Sequence, residues 1–212
     1  FRVTDKGGAH LYLDNVQIDY AMPAGGCQNE STITVSAQVS SGTDDAEEYA
    51  ANSTIDGGPG GVDTESSDLE LVHDDWDYNW DYGSPGSQIV GLRFNDLTIP
   101  QGATITNAYI LFTAIAADSP NYPNDGPASL AVQGQDADHA PTFATYGTAD
   151  YDISNRPRTA ATVSWAPEPW VAGNEYSTPN LSPVVQEIVD RGGWVSGNSM
   201  AFVVTGNGSR AA

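Results

Sequence analysis

The chain has 212 residues, enough for one well-packed domain, and 28 acidic against seven basic residues give it a formal charge of −21. This excess of negative charge repels phosphate backbones and anionic lipid, which argues against nucleic-acid partners and membrane-surface roles. Apolar residues make up 39% of the chain, and five Trp, ten Tyr and five Phe supply a core, so we expect a folded protein rather than a disordered one.

Targeting and redox features point to the cell exterior. No apolar run approaches the roughly 18 residues of a membrane span, so membrane insertion is not expected. The chain begins at Phe1 rather than Met, as expected of a processed or excised segment. Cys27 is the only cysteine, which rules out an internal disulfide and leaves an inert thiol or an intermolecular bridge. The composition favours a secreted or cell-surface protein, of prokaryotic type.

The N-terminal region predicts one strand and a linker. The stretch LYLDNVQIDY alternates with period two, with apolar residues at Leu11, Leu13, Val16, Ile18 and Tyr20. A slip at 14–15 suggests a bulge. The following PAGGCQNE reads as a linker. We therefore divide the chain into an N-terminal strand segment (1–22), a linker (23–30) and a domain (31–212).

The rest of the chain predicts an all-β fold with one short helix. The predicted strands, in order, are ITVSAQV, SSDLELV, QIVGLRF, AYILFTAIA, SLAVQGQ, ATVSW and SMAFVVTG. Between the last two lies a helix near 182–191, with Ser182 as N-cap, Pro183 at the first helical position and the apolar face Val184, Val185, Ile188 and Val189. Short strands with regular turn signals predict a jelly-roll β-sandwich.

An acidic run is the first candidate metal site. Six carboxylates are expected on two neighbouring strands: Asp44, Asp45, Glu47, Glu48, Asp68 and Glu70. They would repel one another unless they are solvated or bridged by a cation, and hard oxygen ligands select calcium. The alternative is a solvated acidic edge that blocks sheet-to-sheet aggregation.

The stretch HDDWDYNWDYG (73–83) is the second candidate site. Read as a strand, it places Trp76, Tyr78, Trp80 and Tyr82 on one face, where an aromatic row can stack on sugar rings or contact a partner. Read as a calcium loop, it offers Asp75 and Asp77. The EF-hand pattern fails, because Trp80 stands where that loop needs glycine and Gly86 where it needs glutamate. A hairpin whose aromatic side chains cover the sandwich is the third interpretation.

Catalysis has little support in the sequence. There is no nucleophile elbow, phosphate-cradling loop or HExxH motif, and the three histidines are scattered. Carboxylate pairs carry no signal in a chain with 28 acids. We assign no catalytic residue and expect no enzyme.

Three blocks of sequence resemble a known family. They are GLRFNDLTIPQGATITNAYILF, ATVSWAPEPW and TPNLSPVVQEIVDRGGWVSGNSMAFVV, and in this order they resemble the DNRLRE-type domain, which is related to alginate-type carbohydrate-binding modules. The resemblance covers roughly 38–210 and implies a jelly-roll appendage of secreted surface proteins and polysaccharide-degrading enzymes. Two departures are the long aromatic insertion and the stop after GNGSRAA, where members usually continue into one more apolar strand.

These observations lead to one expected function and one alternative. The resemblance implies that the closing strand of the sandwich is missing. We therefore expect the N-terminal strand to fill this gap, either in its own domain or in the next copy, through Leu11, Leu13, Val16, Ile18 and Tyr20. The alternative is that this strand is a remnant of a preceding domain. Donation to the next copy would give a calcium-stabilised, non-catalytic structural or adhesive protein that assembles head to tail into filaments. The alternative is a carbohydrate-binding module for a neutral or calcium-bridged polysaccharide.

Overall fold

The computed structural model describes residues 3–6, 9–11, 14–22, 32–50, 59–66, 68–73, 87–116, 123–144 and 149–212. Within these ranges the chain forms twelve β-strands, one 3-10 turn and one α-helix. The strands are β1 (Val3–Lys6), β2 (Ala9–Leu11), β3 (Asn15–Ala21), β4 (Thr32–Gln38), β5 (Asp45–Tyr49), β6 (Val62–Asp63), β7 (Gln88–Leu97), β8 (Thr104–Thr113), β9 (Ser129–Gly134), β10 (Val163–Trp165), β11 (Glu175–Ser177) and β12 (Asn198–Asn207). The turn is Gly42–Asp44, and the helix α1 is Ser182–Val189.

Two antiparallel sheets pack face to face, and the predicted all-β sandwich with one short helix is confirmed. The larger sheet has the order β10-β9-β12-β7-β5-β6, and the smaller has the order β11-β8-β3-β4. Strands β1 and β2 form a separate two-stranded sheet. Neighbours in both large sheets come from distant parts of the chain, so most pairings are long-range.

The core lies between the two sheets and is built by alternate residues of their central strands. Its fully buried members include Val16, Ile18, Val90, Leu92, Phe94, Ile110, Phe112 and Phe202. The Phe94 and Phe202 rings meet edge to face, with centroids 6.0 Å apart. Strand alternation therefore sends the side chains between these residues to the outer faces of the sandwich.

A second, smaller core covers the outer face of the six-stranded sheet. It joins Ala46, Val62, Ala201 and Val203 of the sheet to Ala140, Phe143 and Ile153 of the segment 136–158. A Cβ on Gly91 would lie 2.6 Å from the Phe143 ring, so only glycine at this position lets the covering segment approach. The Arg156 guanidinium lies 4.2 Å from the centre of the same ring and donates to the carbonyl oxygens of Pro141 and Thr142.

The helix closes one end of the sandwich with the predicted apolar face. Val184, Val185, Ile188 and Val189 are all buried. The expected N-cap is wrong, because Ser182 is the first helical residue and Leu181 occupies the N-cap position without a side-chain capping bond. Asn180 Oδ1 accepts the Ser182 amide at 2.8 Å and the Ala108 amide at 3.1 Å instead, so one amide side chain joins the helix start to β8.

The segment after β12 lies beside the loop 68–73. Leu69 N donates to Ala212 O at 2.8 Å, and Ala212 N returns a hydrogen bond to Leu69 O at 3.0 Å. Arg210 is buried here, and its guanidinium donates to the carbonyl oxygens of Gly126, Pro167, Glu168 and Ser209. Burial lowers the pKa of Arg210.

Candidate functional site

The N-terminal strand lies inside the four-stranded sheet of its own chain. β3 forms seven residue pairs with β4 and seven with β8, so it is an interior strand rather than an appendage. Val16, Ile18 and Tyr20 are buried in the main core, as the period of LYLDNVQIDY indicates. Leu11 belongs to β2, and Leu13 lies outside the described residues. The segment 15–21 therefore shares one sandwich with the segment 32–212.

The acidic run does not form one cluster, because β5 presents its residues to opposite faces. Asp45 and Glu47 pair with Leu92 and Val90, which belong to the main core. Ala46 and Glu48 pair with Gly91 and Ile89, on the face covered by the second core. Cross-strand partners share a face of the sheet, so Asp45 and Glu47 point between the sheets, whereas Glu48 points outward.

Asp44 is held in a buried ion pair. Arg93 Nη1 donates to Asp44 Oδ1, while Asp44 Oδ2 accepts from Asn95 Nδ2 at 2.8 Å and Ser40 Oγ at 2.7 Å. Arg93 also donates to Ala140 O at 2.8 Å and to Ser199 Oγ at 3.0 Å. These bonds join the 3-10 turn to β7 and β12. The charge of Asp44 is thus balanced by a guanidinium of the chain itself, and a metal-ligating role for Asp44 stays a prediction.

Glu47 and Glu48 are buried and bind backbone amides. Glu48 Oε2 accepts the amides of Ile153 at 2.7 Å and Ser154 at 2.8 Å. Glu47 Oε1 accepts the Glu70 amide at 2.8 Å and Gln88 Nε2 at 2.9 Å. Each carboxylate thus joins a loop to β5 of the six-stranded sheet. A metal-ligating role for these two residues stays a prediction.

The inward-facing acids line a small crevice at the open edge of the sandwich. Its walls are Asp45, Ala46, Glu47, Asp63, Thr64, Ser66, Asp68 and Leu69. Asp63 is the cross-strand partner of Glu47, which brings these two carboxyl groups to the same face. No three carboxylate, histidine or cysteine side chains in the described part of the chain are arranged to hold one metal ion. The crevice is negative but is not a preformed cage.

Asp14 is a buried acid that lies outside the candidate sites predicted from the sequence. It lies just before β3 and is 4% exposed, and within the part of the chain that the structure describes its Oδ1 has no hydrogen-bond partner. Burial raises the pKa of Asp14 well above its ordinary value, repulsion by Asp45 raises it further, and a hydrogen bond with the Thr113 backbone opposes both effects. The predicted bulge at 14–15 was the only sequence signal at this position. Asp14 is therefore a buried acid whose charged form is disfavoured by burial first and by the charge of Asp45 second.

The outward side of the four-stranded sheet is polar. We call it the outer sheet face and define it by three rows of cross-strand partners, which are Gln38-Asn15-Leu111, Ser36-Gln17-Tyr109 and Thr34-Asp19-Asn107. Asp19 is its one acid and accepts from Thr34 Oγ1 at 2.6 Å and Asn107 Nδ2 at 3.4 Å. The face combines amides and hydroxyls with one tyrosine and little charge. The polar positions of LYLDNVQIDY carry the sequence signal for this face.

The aromatic stretch lies outside the described residues. Asp75, Trp76, Asp77, Tyr78, Trp80 and Tyr82 all fall within 74–86, and Cys27 falls within 23–31. The flanking residues His73 and Ser87 form an antiparallel bridge. The residues on either side of the stretch are therefore paired, while the glycan, calcium and packing interpretations of its side chains all stay predictions.

Comparison of the chain with protein-family models, with curated proteins and with solved structures gives no significant match in any of the three. The resemblance to DNRLRE-type domains thus depends on the quoted sequence blocks alone. Among the residues that the structure describes, no helix has the length and apolar character needed to cross a membrane.

Proposed function

We propose that the chain is a non-catalytic structural or adhesive β-sandwich of the cell exterior, which self-associates by exchanging its N-terminal strand and is stabilised by calcium. The observation that carries this proposal is the interior position of β3. Without β3, the β4 and β8 edges and the core around Ile18 would be exposed, at a high cost. The four-stranded sheet requires a strand with the sequence of β3 between β4 and β8. A second copy of the chain has the same strand and can supply it.

The connection between β3 and β4 favours exchange. Ala21 and Thr32 are directly opposite each other, so a two-residue turn would close this hairpin, yet ten residues (22–31) join the two strands. A connection of this length spans up to roughly 33 Å when extended. It can therefore close the hairpin within one chain or carry β3 to a neighbour, and serial exchange in one direction gives an open head-to-tail assembly.

Calcium fits the Asp14–Asp45 pair better than the predicted six-residue cluster. Among the described residues Asp14 Oδ1 is a buried carboxylate oxygen without a partner, and Asp45, whose charge raises the pKa of Asp14, also lines the acidic crevice. A divalent cation bound here would neutralise two repelling charges and satisfy the orphaned oxygen. Asp44 stays outside this site, because Arg93 already balances its charge.

A shortened connection tests the exchange. Replacing 22–31 with Asn-Gly closes β3 and β4 into a tight hairpin and prevents β3 from reaching a second copy. We expect the native chain to form an open, concentration-dependent series of oligomers in light scattering. The shortened chain should lose this series, form nothing larger than a dimer and keep an equal melting temperature. Replacing the ten residues with ten Gly/Ser residues is the matched control and should preserve the series. A native chain that stays monomeric at every concentration would refute strand exchange.

The outer sheet face favours a second candidate function, binding of a neutral polysaccharide. Amides and hydroxyls from three strands surround Tyr109, whose half-buried ring offers a surface on which a sugar can stack. A neutral glycan suits this face, since an anionic chain would be repelled by the total charge of −21. Binding on a glycan array that is lost in Tyr109→Ala would support this function.

A further inference from the structure

Strand β4 is an exposed edge of the four-stranded sheet. Within the described residues it pairs with β3 on one side and with no strand on the other. Five of its seven residues are exposed, including Ile33 at 41%, whereas Val35 and Ala37 pack partly against the core. The free edge presents backbone amide and carbonyl groups that another strand can pair with.

Strand β4 carries none of the residues that usually protect an edge strand against pairing. Natural edge strands carry charged residues, proline or bulges that discourage sheet-to-sheet contact. The segment 32–39 reads TITVSAQV and contains no charged residue, no proline and no glycine. Its pairing with β3 is regular along all seven positions, without a bulge. An uncharged, β-branched and regular strand is the kind of segment that pairs with its own copy.

The charge distribution indicates what binds there. Two copies that each carry −21 repel at most points of contact, and the repulsion is weakest where the contacting strands are neutral. We propose that β4 pairs antiparallel with β4 of a second copy, so that two four-stranded sheets become one continuous sheet. With Val35 facing its counterpart, Thr34 lies opposite Ser36 and Ile33 opposite Ala37, and no like charges meet.

This contact goes beyond strand exchange and does not depend on it. In exchange, β3 leaves its own chain, whereas edge pairing leaves β3 in place and adds a two-fold symmetric contact beside it. Together the two contacts would give a head-to-tail assembly with lateral cross-links. Each can be removed without the other, because one depends on the 22–31 connection and the other on the side chains of β4.

Lysine substitution on β4 tests the proposal. Thr34→Lys with Ser36→Lys places lysines opposite each other across the two-fold axis, and should weaken pairing of the shortened Asn-Gly chain about tenfold or more in sedimentation equilibrium. Thr104→Lys with Thr106→Lys adds the same charge to the interior strand β8 and should leave pairing unchanged. Mixing the β4 lysine variant with a Thr34→Glu/Ser36→Glu variant should restore a mixed dimer.

The shortened chain separates the two modes of assembly, since it cannot exchange β3. A shortened chain that stays monomeric up to about 1 mM, a range that covers dissociation constants of weak pairs, would overturn edge pairing. So would a lysine variant that pairs as strongly as its β8 control. Circular dichroism melts confirm that all variants are folded. If strand exchange does not occur, the unshortened chain should instead form the same oligomers as the shortened chain.

Discussion

Arg93 on β7 donates to Asp44 at the end of the 3-10 turn, and both side chains are buried beneath the segment that covers the six-stranded sheet. The same guanidinium donates to Ala140 O and Ser199 Oγ. One arginine therefore connects the turn before β5, the covering segment and β12. The Arg93 guanidinium thus neutralises one carboxylate of the acidic run without a metal ion.

Removing Arg93 should destabilise the fold strongly. Arg93→Leu leaves Asp44 buried without its counter-charge, and we expect a loss of about 3–5 kcal/mol in the free energy of unfolding. The double variant with Asp44→Asn should recover part of that loss, because no unpaired charge remains buried. Urea unfolding of the single and double variants measures both effects. Equal losses in the two variants would contradict the importance of the ion pair.

Asp14 should make stability depend on pH in the absence of divalent cations. Since burial and Asp45 raise the pKa of Asp14, the folded protein keeps a proton that the unfolded chain releases. The contribution of Asp14 to stability should thus be fully present below the ordinary aspartate pKa and should be lost as pH rises through the elevated one. Asp14→Asn should remove this fall in stability. At pH values above the elevated pKa, its free energy of unfolding should exceed that of the native chain by about 1–3 kcal/mol.

Urea unfolding in chelator from pH 4 to pH 8 measures this dependence. The matched control is Asp150→Asn, which removes one negative charge at an exposed position and should retain the native pH profile. An Asp14→Asn profile that falls in parallel with the native one would show that Asp14 does not titrate as its surroundings require.

Calcium should reverse the destabilisation at neutral pH. A ligand that binds only the folded state stabilises it by about 2.7 kcal/mol at a hundred times its dissociation constant. We therefore expect the native melting temperature to rise with calcium concentration and to fall in chelator, whereas Asp14→Asn should respond little. Magnesium controls for a general effect of divalent charge. If the melting temperature of Asp14→Asn rises with calcium as much as that of the native chain, calcium does not bind at Asp14.

The outer sheet face should respond to the loss of its aromatic ring if it binds glycan. Tyr109→Ala should lower affinity for any neutral polysaccharide that binds, by about 1–3 kcal/mol if the ring stacks as an aromatic side chain stacks on a planar ligand. Isothermal titration gives the affinity. Tyr151→Ala, at an exposed position outside this face, is the control. Equal losses in both variants would exclude a specific role for the face.

Local patterns in the sequence were sufficient for much of the fold. The alternation in LYLDNVQIDY identifies the buried residues Val16, Ile18 and Tyr20, and the apolar spacing after Pro183 identifies the buried helix face. Both signals arise within one element, where the backbone period alone decides which side chains face the core. The N-cap prediction was wrong by one residue, because Leu181 occupies that position, and the Ser182 amide is bound instead by Asn180, which also accepts an amide of β8.

The site was harder to predict because its contacts join distant parts of the chain. Asp44 meets an arginine 49 positions away, and Glu48 meets amides 105 and 106 positions away. No local sequence pattern identifies such distant partners. The adjacent acids were therefore predicted to form one cluster, although strand alternation places them on two faces of the sheet. Asp14 was missed for the same reason: its burial and its coupling to Asp45 exist only once the two sheets pack.

The central claim is that β3 of one chain completes the sheet of another, and a cysteine trap tests it most directly. Asp19 and Asn107 are cross-strand partners whose side chains touch, so Asp19→Cys with Asn107→Cys, in a Cys27→Ser background, places two thiols within bonding distance across β3 and β8. After oxidation at high concentration, a non-reducing gel should show a ladder of covalently linked chains that reduction collapses to monomer. A single monomer band carrying only an internal disulfide would show that β3 stays in its own chain.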